Sequence, residues 1–350
     1  MRSVWYEFLR VYVFVALIFY FSRITITHKA ALPSNHSILF LPNHQNAFLD
    51  ALLVVTSTRL PIHFLARADV FRNRLFRSLL DSINLIPVYR VRDGWNSLDK
   101  NAETFERCFE ILNKGESLLM FPEGNHSFGR RLRPLSRGFT KIVQGVMSRK
   151  LADNLVIVPV GINYESHSRY FSRVSVTFGN PIDVAGFEHS PKGANILRDV
   201  VEQEMRKLVV HIGDEQQERA LINELKRKGY DVCDAQVVNS LLQTTARNEA
   251  SWPKQRTHLW WVLGLPVLLL GKLLNAVPLI VWTRIRRQIK DPVLMPSIRF
   301  AFAVGVFPVY YVALTVLLWV FFGYRTGVLS FFILVFSMPA LALVRRLQPE

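Results

Sequence analysis

Residues 37–50 read SILFLPNHQNAFLD, a short apolar run followed at once by a polar segment. The run Ser37–Leu41 is typical of a buried strand. His44 lies just beyond it, and Asp50 follows six positions later. Such a pair can act as a base and its orienting partner, because the aspartate holds the imidazole tautomer and stabilises the imidazolium. The same residues also occur in ordinary turns and helix caps, so this segment alone defines only a candidate site.

Outward from this segment, short apolar runs alternate with amphipathic helical patterns. The predicted strands cover residues 37–41, 62–65, 85–89, 117–121, 155–158 and 174–178. The predicted helices cover residues 70–83, 97–112, 139–149 and 194–210. This alternation predicts an α/β domain over residues 30–215, with a sheet whose faces are covered by helices. Residues 216–257 are polar and charged, and we assign them to a helical spacer.

Polar residues with suitable chemistry follow several of the predicted strands. Glu123 could accept hydrogen bonds from a hydroxylated substrate, and Gly124 lets a ligand approach the backbone closely. Arg90 ends another strand and suits bidentate phosphate binding. A basic group follows Glu123 and consists of Arg130, Arg131, Arg133 and Arg137. We expect an anion site here, and the alternative is a solvated basic face.

Composition narrows the class of partner. Half of the 350 residues are hydrophobic, the mean hydropathy is +0.18, and the formal net charge is +16. A strong positive charge favours an anionic partner, and the hydrophobic excess favours a membrane over nucleic acid. No helix-turn-helix, RNA-recognition or zinc-finger signature is present, so no nucleic-acid partner is expected. The two cysteines, Cys108 and Cys233, predict neither a disulfide framework nor a zinc site.

The C-terminal region, residues 258–350, carries the signal for membrane insertion. Residues 300–324 and 328–344 are uncharged runs, and about 20 apolar residues suffice to cross a bilayer. These two runs predict a transmembrane helical hairpin, with Gly323–Gly327 as the turn between its helices. A third run, residues 259–282, contains Lys272 and two prolines, which favours a re-entrant or interfacial segment.

The basic residues 284–290 and the N-terminal segment 1–29 give two further predictions about the membrane. Residues 284–290 are strongly basic, and basic loops remain on the cytoplasmic side, so we expect the catalytic domain there. Residues 1–29 combine a short apolar run with interfacial aromatics and predict a membrane-interfacial anchor helix. The alternative for this segment is an ordinary buried core helix.

Taken in order, these segments resemble the PlsC-type glycerolipid acyltransferase family, which includes glycerol-3-phosphate and 1-acylglycerol-3-phosphate O-acyltransferases. The resemblance covers residues 36 to about 180 and lies in four segments: 43–50, 85–90, 121–124 and 157–162. The family usually places four residues between the histidine and the aspartate. Here five residues separate His44 from Asp50, which is similar to a subset of the family that includes fungal glycerol-3-phosphate acyltransferases.

The resemblance implies an acyltransferase-type mixed sheet and a mechanism without a metal or other cofactor. His44, oriented by Asp50, would take a proton from an acceptor hydroxyl, which would attack the thioester of acyl-CoA or acyl carrier protein. The acceptor would be glycerol 3-phosphate or 1-acylglycerol 3-phosphate, and the membrane would supply or receive lipid.

The resemblance also implies roles for the remaining candidate residues. Arg90, helped by the arginines at 131, 133 and 137, would hold the acceptor phosphate. Glu123 and Gly124 would bind the glycerol part, and Val158 and Pro159 would line the route of the acyl chain.

Other functional classes remain as alternatives. The chain has no G-x-S-x-G and no H-E-x-x-H motif, which argues against a serine lipase or a zinc hydrolase. A non-catalytic membrane protein that binds anionic lipid, and an acyltransferase for an amino-lipid acceptor, stay open.

Overall fold

The computed structural model describes residues 4–28, 32–33, 35–71, 82–89, 97–149, 154–244 and 258–346. The chain divides into two compact units. The first consists of Met1–Phe14, Ile24–Glu165 and Val174–Asn248, and the second of Val15–Arg23, Ser166–Arg173 and Glu249–Glu350. The sheet and its covering helices give the first unit its core, whereas the second consists mainly of apolar helices.

A mixed sheet runs through the first unit. Its strands are β1 (Arg23–Thr27), β2 (Ser37–Pro42), β3 (Ile62–Arg67), β4 (Leu85–Val88), β5 (Ser117–Leu119), β6 (Leu155–Tyr164), β7 (Arg173–Phe178) and β8 (Ile182–Asp183). Their order is β1-β7-β6-β2-β5-β3-β4, and β8 pairs with β6. Strands β2 to β6 run parallel, whereas β7 and β8 are antiparallel to β6. The predicted α/β fold is confirmed.

Helices precede, separate and follow the strands along the chain. They are α1 (Val4–Tyr20), α2 (Phe48–Ser57), α3 (Ser97–Asn113), α4 (Gly138–Ser148), α5 (Pro191–Leu208), α6 (Glu215–Arg227) and α7 (Ala235–Thr244). Every residue of β2 is buried, as expected of a parallel strand with both faces covered. The predicted helix at residues 70–83 falls largely outside the described residues.

Pro159 lies inside β6, a position that a central strand rarely allows, because proline has no N–H to donate to the ladder. On one side, β6 pairs with β8 at Val156 and Ile157 and with β7 from Val160 onward. Pro159 therefore sits where the antiparallel partner changes. Its carbonyl still accepts a hydrogen bond from the Gly179 N–H, at 2.8 Å.

Helices α6 and α7 lie in the part of the chain that the sequence assigned to a spacer. Their buried apolar side chains pack with Val210 and Ile212, which follow α5, and form a second small core. The buried Ser175 hydroxyl of β7 donates to the Cys233 carbonyl at 2.7 Å. These contacts place residues up to 248 in the first unit.

Helix α1 leaves an apolar stripe exposed. Tyr6 and Leu17 are buried, whereas the outward positions are all apolar or aromatic: Val4, Trp5, Phe8, Val11, Tyr12, Val15, Ile18 and Phe19. An ordinary core helix would bury such a face. The stripe fits an interfacial helix better than the buried alternative.

The helices of the second unit are α8 (His258–Leu274), α9 (Ala276–Gln288), α10 (Met295–Phe322) and α11 (Tyr324–Arg346). Among the described residues, the helical stretch Pro292–Phe322 is the one that is long and apolar enough to cross a bilayer by itself. Helices α10 and α11 pack against each other, so the predicted hairpin is found in part. The turn is shorter than predicted, because Gly323 alone, at φ +85°, separates the two helices.

Helices α8 and α9 form a pair bent by 78° at Asn275. The Asn275 side chain is fully buried, donates to the Gly271 carbonyl and the Ser337 hydroxyl, and accepts from the Tyr311 hydroxyl. The Tyr310 hydroxyl donates to the Leu274 carbonyl at 2.8 Å. A helix break among apolar helices is tolerated when protein groups satisfy the freed backbone. This geometry is compatible with a broken span or with the predicted re-entrant segment.

Replacing Asn275 with leucine should destabilise the second unit by about 1–3 kcal/mol, since buried polar partners would lose their hydrogen bonds. The readout is the thermal unfolding midpoint of the purified chain in detergent micelles. Ser330→Ala is the matched control, because Ser330 donates only to the Gly327 carbonyl of its own helix. Equal midpoints for the two variants would contradict the role assigned to Asn275.

Candidate active site

The chemical groups of the site gather where neighbouring parallel strands end. Strands β5, β2 and β6 are adjacent, and the carboxyl ends of parallel strands form the usual binding edge of an open sheet. His44 follows β2, Glu123 follows β5, and Tyr164 ends β6. The Asn43 side chain ties two of these ends together by donating to the Ile162 carbonyl and accepting from the Ile162 N–H.

His44 and Asp50 form a hydrogen-bonded pair. The Nδ1 of His44 lies 2.9 Å from Oδ2 of Asp50, whose side chain is fully buried. The same oxygen accepts from the backbone N–H groups of Gln45 and Asn46, at 2.8 and 2.7 Å. These bonds fix the carboxylate in the first turn of α2, so it can hold the imidazole in one orientation.

The chain turns sharply at Ala47, between His44 and Asp50. This residue has φ +45° and ψ −131° and immediately precedes α2. A positive φ of this kind costs a non-glycine residue roughly 1–3 kcal/mol, so the surrounding structure must hold it in place. Helix α2 then begins at Phe48, and its first turn carries Asp50 back to His44.

The environment of His44 suits a base. Its side chain is 12% exposed and its ring stacks on Phe121, with centroids 3.7 Å apart. Burial lowers the pKa of His44, although the hydrogen bond that Nδ1–H donates to Asp50 opposes this shift. Since Asp50 accepts from Nδ1–H, the lone pair of a neutral ring lies on Nε2. Among the described residues, none hydrogen-bonds to Nε2, which leaves it to a substrate hydroxyl.

Tyr164 belongs to the same network, although the sequence analysis did not single it out. Its hydroxyl donates to Oδ1 of Asp50 at 2.6 Å, and both side chains are fully buried. The two residues are 114 positions apart in sequence. The available signal was the position of a tyrosine two residues after the apolar run 155–162.

Glu123 forms a buried ion pair with Arg133. An Nη2–Oε2 distance of 2.5 Å joins them, and the Glu123 side chain is only 2% exposed. The other oxygen, Oε1, is buried and has no hydrogen-bond partner among the described residues. Burial raises the pKa of Glu123 to about 7, and the Arg133 charge pulls in the opposite direction. A ligand hydroxyl at Oε1 would satisfy the unpartnered oxygen.

An open depression of about 550 Å³ adjoins this ion pair. Its lining residues are Glu123, Asn125, Arg131, Leu132, Arg133 and Pro134. Gly124, at φ +75°, forms the turn beside it, and nothing lies within 4 Å of where a Cβ would stand. The depression is therefore bounded by a carboxylate and two guanidinium groups, which suits a ligand that has both hydroxyl and anionic groups.

The predicted arginines occupy different environments. Arg131 and Arg133 line the depression, but Arg133 is also bonded to Glu123, Asn125 and the His44 carbonyl. Arg137 is exposed at the start of α4, outside the lining. Arg130 is buried, donates to the Tyr164 and Glu165 carbonyls and faces Glu218. Arg90 lies outside the described residues.

The two residues predicted to line the acyl route lie within the sheet. Val158 and Pro159 of β6 are both buried and sit opposite Phe40 and Leu41 of β2. Neither lines the depression beside Glu123. Their role in holding an acyl chain stays a prediction. In the part of the chain that the structure describes, no group of three or more His, Cys, Asp or Glu side chains is placed to hold a metal ion.

Comparison with known proteins gives a consistent set of relatives. The acyltransferase family model matches residues 23–163. Over 80 residues, the chain is 35% identical to glycerol-3-phosphate O-acyltransferase 1 of Saccharomyces cerevisiae, covering 23% of this chain and 10% of that protein. Over 191 residues, it is 22% identical to 1-acyl-sn-glycerol-3-phosphate acyltransferase of Bacillus subtilis, covering 53% and 87%.

A solved structure is also similar. The 1-acyl-sn-glycerophosphate acyltransferase PlsC of Thermotoga maritima matches with a TM-score of 0.45 and 19% identity, covering 63% of this chain and 79% of that one. The match to the yeast protein spans only about a tenth of that protein's length.

Proposed function

We propose that this chain, whose residues 23–163 match the acyltransferase family model, is a membrane-bound O-acyltransferase of phospholipid synthesis. It would move a long-chain acyl group from acyl-CoA or acyl carrier protein to glycerol 3-phosphate or 1-acylglycerol 3-phosphate. The observation that carries this proposal is the buried Asp50–His44 pair, whose His44 carbonyl accepts a hydrogen bond from Arg133, a residue that lines the depression.

The proposed reaction moves the acyl group directly from a thioester to a hydroxyl, with no acyl-enzyme intermediate. Nε2 of His44 takes the proton of the acceptor hydroxyl while the oxygen attacks the thioester carbonyl carbon. The tetrahedral intermediate then expels the thiolate, the C–S bond breaks, and the imidazolium returns the proton to sulfur. Asp50 stabilises the imidazolium while it exists. The products are one oxygen ester and one free thiol.

The depression supports a phosphorylated glycerol as acceptor. Glu123 Oε1 would accept a hydrogen bond from a glycerol hydroxyl, and this would satisfy its unpartnered state. Arg131 is the candidate for the phosphate ligand, because it lines the depression and is not the residue that forms the ion pair with Glu123. A guanidinium can bind two phosphate oxygens at once.

The membrane location rests on the apolar surfaces. Helix α10, the exposed stripe of α1 and the basic C-terminal end of α9 together support a bilayer location with the catalytic domain on the cytoplasmic side. Incubating the purified chain with labelled palmitoyl-CoA or palmitoyl carrier protein and each acceptor in turn tests the proposed donor and acceptor. Product from neither acceptor with either donor would contradict it.

Changing Arg131 to alanine should raise KM for the phosphorylated acceptor at least about tenfold, since a hydrogen bond to a charged group contributes ~1.5–3 kcal/mol. KM for the acyl donor should stay within about twofold. Lysine at this position should restore only part of the loss, because an ammonium cannot reproduce the bidentate fork.

Arg137→Ala is the matched control for this substitution. The Arg137 side chain is exposed outside the lining, so its removal should leave both KM values near those of the wild type. If Arg137→Ala raised the acceptor KM and Arg131→Ala did not, the phosphate ligand would lie at the start of α4 instead.

A further inference from the structure

We propose that the C-terminal end of α9 is a surface that binds the phosphate headgroups of anionic lipids in the bilayer. This surface lies in the second unit, and the proposed acyl transfer does not require it. Two features of α9 carry the proposal: an exposed apolar stripe, and a group of exposed cations at the helix end, of which Arg284 and Arg287 continue the same face.

The apolar stripe occupies the first two turns of α9. Val277, Ile280 and Val281 are 57, 54 and 38% exposed and lie at i, i+3 and i+4, on one side of the helix. Arg284 is at i+7, and Arg287 is three residues further along the same face. The face therefore changes from apolar to basic within one turn.

The cations at the end of the helix form no ion pair in the part of the chain that the structure describes, although Asp291 follows Lys290 in sequence. Arg284, Arg286, Arg287 and Lys290 are all exposed. Within the described residues, no carboxylate lies within 4 Å of any of them. Arg284 to Arg287 span about one helical turn, ~5 Å, directly beyond the apolar stripe.

A lipid surface explains both features together. Exposed apolar side chains favour hydrocarbon, and arginines one turn further favour the phosphate layer above it. Nucleic acid would satisfy the cations but would leave the adjoining apolar stripe in water. The order along α9, apolar and then basic, matches the order of hydrocarbon and headgroup in a bilayer leaflet.

The test measures lipid binding by the full chain in neutral detergent micelles without any acyl donor. The probes are fluorescent phosphatidylglycerol and phosphatidylcholine with the same acyl chains. Neither is a phosphomonoester, so binding at the acceptor depression does not confuse the result. The variant R284Q/R286Q/R287Q removes three cations from α9. The control K192Q/R219Q/R227Q removes three exposed cations from α5 and α6.

We expect the wild type and the control to prefer phosphatidylglycerol at least about tenfold, and the α9 variant to lose most of that preference, because each basic residue near an anionic surface contributes several-fold. No preference in the wild type, or equal loss in both variants, would overturn the proposal. So would transfer RNA displacing the lipid at equal phosphate concentration. Since no acyl transfer is measured, the outcome is independent of the proposed enzymatic function.

A second inference rests on the Tyr164–Asp50 contact and on the proposed function of the His44–Asp50 pair. We infer that Tyr164 is a positioning residue, which holds Asp50 so that one carboxylate oxygen faces His44. Its hydroxyl is bonded to Oδ1 of Asp50, while Oδ2 receives the other three donors. The Arg130 guanidinium, bonded to the Tyr164 carbonyl, anchors the end of β6 that carries the tyrosine.

Removing this hydroxyl should change the behaviour of His44 in a predictable direction. The Tyr164 hydrogen bond draws negative charge toward Oδ1. Without it, more charge resides on Oδ2, which stabilises the imidazolium and raises the pKa of His44. The acid limb of the kcat profile should therefore move to higher pH. A contact that only stabilises the fold would lower the unfolding midpoint without moving this limb.

The test compares Tyr164→Phe with Ser175→Ala, which removes a buried hydrogen bond on the neighbouring strand β7. We expect Tyr164→Phe to lower kcat roughly tenfold and shift the limb upward, with KM nearly unchanged. Ser175→Ala should leave the limb in place. A Tyr164→Phe profile that superimposes on the wild type would overturn the inference. The wild type in the same assay shows whether acyl transfer itself occurs.

Discussion

Replacing His44 with alanine should lower the turnover number at least about 100-fold, because a positioned general base contributes roughly 10²–10⁴-fold. KM values for donor and acceptor should change little, since the ring is proposed to act on the proton in the transition state. The measurement is the initial rate of acyl transfer by purified protein at saturating substrate.

His63→Ala is the matched control for this experiment. His63 is also partly buried, and its Nε2 lies 2.6 Å from a carboxylate oxygen of Glu116. It lies near the amino end of β3, whereas His44 follows the carboxyl end of the parallel strand β2. Its loss should cost stability rather than turnover. Near-normal turnover of a folded His44→Ala protein would remove His44 from the mechanism.

Asp50→Asn should also lower turnover by a factor of 10² or more, by analogy with the ~10⁴-fold loss for the equivalent change in a serine protease triad. Asparagine keeps the volume and one oxygen for the backbone N–H groups of Gln45 and Asn46. It removes the charge that stabilises the imidazolium, and it no longer selects the tautomer with the lone pair on Nε2.

Asp214→Asn controls for the loss of a carboxylate. Asp214 caps α6 by accepting from the Gln216 N–H and lies on the surface. Its replacement should leave turnover near that of the wild type. If folded Asp50→Asn were as active as this control, Asp50 would be a structural cap of α2, and His44 would need another orienting group.

The strands and the His44–Asp50 pair could be predicted because both signals are local. An apolar run bounded by polar residues marks a buried strand, and residues six apart meet whenever the chain turns between them. The sequence could not show how the chain turns between His44 and Asp50. The turn depends on the positive φ of Ala47, which alanine rarely adopts and which its presence does not predict.

Sequence patterns could not predict contacts between residues that are far apart in the chain. Tyr164 meets Asp50, and Arg130 meets Glu218, only because β6 and α6 converge near the end of β2. Four arginines within eight residues looked equivalent as a charge cluster. Burial separates them, since Arg130 supports strand ends, Arg133 neutralises Glu123, and Arg131 lines the depression.

The position of the helix break could not be predicted from the sequence either. From the sequence, the two prolines of residues 259–282, Pro266 and Pro278, are the expected sites of a break. Pro266 lies inside α8, and Pro278 lies in the first turn of α9, where its missing N–H has no partner to lose. The bend falls between them at Asn275, whose side chain finds partners on α10 and α11.

We propose that the chain transfers an acyl group to a hydroxyl of a phosphorylated glycerol. The most direct test is to measure, with purified wild-type protein, the molar ratio of oxygen ester formed to thiol released from a labelled acyl thioester. Our account predicts one ester for each thiol when glycerol 3-phosphate or its 1-acyl derivative is present, and neither product in the His44→Ala variant. Thiol release accompanied by free fatty acid, or lipid binding with no thiol release, would contradict it.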